Sequence, residues 1–146
     1  MGITGSGSSL NKRLLLMAFE QPCLLIDAAN CANPHALFPK IQQEQLSSVF
    51  VVSVEVLYRF RDAMKKLPEW LDELNIDCAI ITAFNHLFDY DDEQENNDII
   101  EHAWELMKTA AKEKKIIVGV HQKHLGYAKK YCDVLWDIQS GAKGLS

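Results

Sequence analysis

At 146 residues the chain has room for one domain, residues 1–146, with a core that needs no disulfide or metal staple. Hydrophobic residues at 48% and charged residues at 24% exclude a disordered or fibrous chain, and no apolar run reaches the roughly 18 residues of a membrane helix. A net charge of −5 argues against a protein built chiefly to grip nucleic acid. Leu14–Phe19 is too short and too soon followed by Glu20 to be a secretory leader. Cys23, Cys31, Cys78 and Cys132 form no C-x-x-C pair, and Cys23 and Cys78 fall in apolar runs. They read as reduced core residues of a cytoplasmic protein.

The chain opens on a Gly/Ser-rich stretch, Gly2 to Ser9, ahead of an apolar-patterned segment. Gly2 and Gly7 have the spacing of the phosphate-gripping pattern G-x-x-x-x-G-K-[ST], Gly5 lies between them, and Ser9 stands at the hydroxyl position. The lysine position is Ser8. A loop of that shape without a cation suits weak anion binding at best, and the plain alternative is a flexible tail. Five short apolar runs follow: Cys23–Ile26, Val49–Val52, Cys78–Ile81, Ile116–Val120 and Val134–Ile138. The first four lack polar alternation, which predicts strands covered on both faces.

Between the runs lie helical stripes, Leu57, Phe60, Met64 and Leu67 in one and Ile99, Ala103, Leu106, Met107 and Ala110 in the other. Ser53 is the expected cap of the first helix, and Asn97 or Asp98 of the second, with Glu101 completing a capping box. A loop is expected from about Asn85 to Asn97. Strand alternating with helix predicts an α/β fold: a mostly parallel sheet of about five strands flanked by helices. Charge is segregated along the chain. Residues 69–105 hold twelve Asp/Glu and no Lys or Arg, whereas residues 106–146 hold eight Lys against three acids. Two oppositely charged faces are one consequence; solvated helix surfaces are the other.

Ligands of open α/β sheets sit at the carboxyl ends of the strands. Those ends carry Asp27–Asn30, Ser53, Thr82–Asn85 and His121–His124. In order and type these pieces resemble the ATPase core of RecA/RadA-type recombinases and their smaller paralogues. Gly2–Ser9 is similar to the phosphate loop, Leu25–Pro34 to the strand and turn after it, Ala79–Phe88 to the second nucleotide-contacting strand, and Tyr131–Ile138 to a late strand. The resemblance implies a RecA-like fold truncated at the N-terminus, with Gly2, Gly5, Gly7, Ser8, Ser9, Asp27 and Thr82 around any nucleotide. It also implies a strand before the loop, inside the sheet between the runs at 116–120 and 134–138. Three arrangements answer that: Met1–Thr4 is a stub of it, the sheet closes differently, or another chain supplies the edge.

The departures from the resembled pattern bear on chemistry. Ser8 replaces the loop lysine, Thr82 or Ala83 the magnesium-holding aspartate, and Ala28–Ala29 the glutamate that activates water. Charge neutralisation, metal binding and general base are separate contributions to hydrolysis, and all three are missing. The expectation is a domain without catalytic residues or resident cofactor, retaining at most weak ATP or phosphate binding. It would act as a homo-oligomer or in a complex with a recombinase-like protein, in recombination or repair. Lys123, His124, Lys129 and Lys130, with Tyr127 among them, form a small basic loop suited only to weak DNA contact. Two other readings remain open. One is a metal-dependent nuclease of the PIN/NYN type centred on Asp27; the other is a non-hydrolysing nucleotide sensor.

Overall fold

The computed structural model describes residues 1–5, 7–18, 22–29, 49–85, 87, 89, 91–137 and 143–145. In chain order these form β1 (Gly2–Thr4), α1 (Gly7–Ala18), β2 (Cys23–Asp27), β3 (Val49–Ser53), α2 (Leu57–Leu74), β4 (Cys78–Ile81), α3 (Glu93–Ala110), β5 (Lys115–Val120), α4 (Leu125–Tyr131), β6 (Val134–Asp137) and β7 (Lys143–Leu145). A single 3₁₀ turn, Gln122–His124, leads into α4. The strands make one sheet in the order β3-β2-β4-β5-β1-β6-β7. Six are parallel, and β7 closes against β6 antiparallel. All five predicted strands are present, with Ile138 and Asn30–Pro34 outside the described residues.

The additional interior strand is β1. Gly2, Ile3 and Thr4 run parallel to both neighbours, opposite Val118–Val120 on one side and Leu135–Asp137 on the other. Of the three arrangements, the stub is the one found. Gly2 sits in close quarters there: a Cβ would lie 2.7 Å from Leu135 Cδ2 and 3.1 Å from Cys132 Sγ, so those side chains would have to shift to admit one.

The unbroken apolar strands reflect burial on both faces, with successive side chains dividing between two cores. Leu24, Ile26, Ala79, Ile81, Ile116 and Val118 pack with α2 and α3. Ile3, Cys23, Leu25, Cys78, Ile80 and Ile117 pack with α1, which contributes Leu10, Leu14, Leu15 and Ala18. Both cysteines in that second core are free and buried, as the sequence suggested. Burial pushes the Cys23 thiol up to about 12, and its Sγ donates to the Ala18 carbonyl. The stripe of α2 is Leu57, Phe60, Met64, Leu67 and Leu71, and the helix stops where Asn75 takes the left-handed conformation (φ 56°).

Two caps differ from expectation. Ser53 ends β3 instead of capping α2, whose first turn is preceded by Val56 with no side-chain cap. The N-cap of α3 is Asp92, accepting from the Gln94 and Glu95 amides at 3.0 and 3.2 Å. Asn97 and Asp98 therefore lie inside the helix. Much of the acidic loop is helix, because Glu93 and Glu95 in the first turn favour the positive end of its dipole. The charged tracts also meet. Lys114 bridges Asp72 (2.9 Å) and Asp77 (3.2 Å), and Lys130 pairs with Glu101. Segregation along the sequence is thus partly cancelled in space. No described helix is long and apolar enough to cross a membrane.

Candidate functional site

The N-terminal glycines do not form one loop. β1 ends at Thr4 and α1 begins at Gly7, so only positions 5 and 6 connect them. A phosphate-cradling nest needs several successive backbone N–H groups turned away from any sheet. Gly2, Ile3 and Thr4 sit between β5 and β6, and their backbone groups serve those two ladders instead. Gly5 follows the strand tip, while Gly7, Ser8 and Ser9 are the first residues of α1. What the arrangement leaves for an anion is a helix N-terminus without an adjacent lysine.

At the tips of β2 and β4 the polar side chains hold backbone. Asp27, 3% exposed, accepts from the Ala29 amide two residues on at 3.2 Å. Thr82 is fully buried; its Oγ1 accepts from the Ala28 amide at 2.8 Å and donates to the Ile26 carbonyl at 3.4 Å. The Thr82 amide itself donates to that same Ile26 carbonyl. Asn11 of α1 accepts from the Ala83 amide at 3.3 Å, tying the helix to the β4 tip. Thr82 thus fastens β2 to β4 where the resembled family has a metal carboxylate. Among the described residues, no three His, Cys, Asp or Glu side chains gather as a metal-binding group, which is what the nuclease reading requires around Asp27.

On the α2–α3 face of the same strand ends lies a polar cavity of about 350 Å³. Phe84 and Asn85 enter it from the end of β4, Asn97 from α3, and Lys123, His124 and Tyr127 from the segment after β5. Asn85 Nδ2 is buried without a hydrogen-bond acceptor. His124 is 7% exposed, with its ring 4.7 Å from Phe84 and edge-on to Tyr127 at 6.1 Å. Burial, reinforced by His121 and Lys123, lowers its pKa to about 4, so the ring is neutral at pH 7. The sequence marked Asn85 and His124 as strand-end residues but gave Asn97 a capping role. Asn97 sits within the helix beyond the Asp92 cap and lines the cavity instead.

The expected basic loop is correspondingly reduced. His124 is a core side chain and carries no charge to a phosphate. Lys130 is engaged by Glu101 and lies over the Tyr131 ring at 5.1 Å. Lys123 and Lys129 are exposed. Of the four residues, His124 is buried and Lys130 is paired at the surface with Glu101.

No family model and no curated protein matches the sequence. The fold has solved counterparts. A crystal structure of the RadB recombinase superposes with a TM-score of 0.69 at 12% identity, covering 93% of this chain and 73% of that one. At that identity the likeness concerns the fold, and it carries none of the neighbour's residues over. The chain is similar to RadB in fold: an α/β domain whose described residues form six parallel strands and four flanking helices.

Proposed function

We propose that this domain keeps the RecA-like frame without triphosphate chemistry and serves as a binding or assembly partner in recombination or repair. The observation that carries the reading is the β1–α1 junction. With the strand's backbone committed on both sides, a triphosphate is left the amides at the start of α1 and no loop lysine to neutralise it. Ser8, Thr82 and Ala28–Ala29 supply neither cation, metal carboxylate nor base.

The docking surface in this reading is the β3 edge. Among the described residues β3 pairs only with β2, and its Phe50 and Val51 are 44% and 49% exposed. Consecutive strand residues point to opposite faces, so this edge is open on both sides. An edge with free ladder groups and apolar side chains suits an added strand from a recombinase-like protein.

Co-elution of the purified chain with a RadB-type recombinase tests it. Phe50→Lys is expected to weaken that complex by about tenfold or more, as loss of an apolar anchor does. Absence of any complex, or equal affinity for Phe50→Lys, removes the proposed docking role.

A further inference from the structure

A second cavity, of about 250 Å³, lies away from the strand tips, against the C-terminal half of α3. Trp104 and Lys108, four residues apart on α3, line it together with Lys112 from the turn after the helix. Ile116 and Val118 of β5 and Tyr131 of α4 make its apolar side. Stripes that face a core are ordinarily apolar throughout, and that of α3 turns basic where it meets the cavity.

Trp104 is 1% exposed, yet its Nε1–H has no acceptor. Buried donors are nearly always paired, and leaving one unpaired forfeits about a full hydrogen bond. Trp104 lines the cavity, so an acceptor that enters there and shifts the packing over the buried indole nitrogen completes it. Charge at the site favours an anion, with two lysines set against one carboxylate, Asp133. Three of the carbonyls ending α3, which oppose an anion, are already engaged. Met107 O takes the Ala111 amide, Thr109 O that of Lys112, and Ala110 O those of Glu113 and Lys114. An apolar cavity of about 150 Å³ accepts a benzene, so this one has room for a ring and a short tail.

We propose that the cavity binds a small organic acid, its apolar body against Ile116, Val118 and Tyr131 and its carboxylate on the Trp104 N–H, with Lys108 and Lys112 at the mouth. This is independent of the docking reading and of the strand-tip site.

Titration of the ¹⁵N-labelled protein with 3-phenylpropionate, following the tryptophan indole N–H resonances, tests it. Trp104→Phe assigns the Trp104 signal; if that variant fails to fold, Trp70→Phe and Trp136→Phe assign it by elimination. The Trp104 resonance is expected to move saturably, and the neutral amide 3-phenylpropionamide to bind about tenfold more weakly, since Lys108 and Lys112 attract only the charged acid. Lys108→Gln combined with Lys112→Gln is expected to erase that difference. No saturable movement, equal affinity for acid and amide, movement confined to Trp70 or Trp136, or an acid preference that survives the lysine changes overturns the proposal.

Discussion

Thr82, expected beside any nucleotide, holds two strand ends together. Its hydroxyl is the acceptor for a buried amide of the neighbouring strand end. Thr82→Val keeps the shape and removes the acceptor. It is expected to cost about 1–3 kcal/mol in urea denaturation, with Thr82→Ser restoring most of the loss. A neutral Thr82→Val would mean that the hydroxyl has no such part.

His124 gives a pH signature. The unfolded chain takes up a proton near 6.5 and the folded chain only near 4, so below pH 6.5 the unfolded state binds more protons. Stability is full above 6.5, falls as pH drops toward 4, and levels below. The loss by pH 5 is about 2 kcal/mol. Glu101 acts in a separate window. Hydrogen bonds from Lys130 and Tyr131 lower its pKa, so its contribution goes only as pH falls below the ordinary 4.5. His124→Phe is therefore expected to flatten the decline between pH 7 and 5; an unchanged slope would contradict the buried, neutral ring.

At the scale of elements, packing decided what the sequence left open. The strands were legible because a sheet covered on both faces needs continuous apolar runs, and β2, β4 and β5 are such runs. Three-residue strands such as β1 and β7 carry no period to read. β1 is identified by its neighbours β5 and β6, not by its own sequence. The α3 cap was misplaced for a local reason: the acidic stretch offers several capping residues, and Asp92 extends the helix furthest. The cavity holding Asn85, Asn97 and His124 left no motif, because its residues come from three separate segments brought together by the sheet.

Gly119 was also silent in sequence. A Cβ there would lie 2.6 Å from Leu14 Cδ1 and 2.9 Å from the Ala83 amide nitrogen. The leucine can yield, but the backbone nitrogen cannot. Gly119→Ala is expected to cost about 1–3 kcal/mol and to loosen α1 from the sheet, seen as faster amide exchange in Leu14 and Leu15. Normal stability with unchanged exchange would contradict that contact.

For the whole molecule, strand order carries more than any motif. The interior placement of β1 joins the two halves of the sheet and commits its backbone to two ladders. The ion pairs Lys114–Asp72, Lys114–Asp77 and Lys130–Glu101 bring the acidic and basic tracts together, which leaves the β3 edge a better docking feature than either charge.

Steady-state hydrolysis of magnesium-ATP by the purified chain, beside Gly7→Asp, tests the central claim most directly. The account predicts no turnover above the variant's background. Turnover that saturates with ATP and disappears in Gly7→Asp would contradict it.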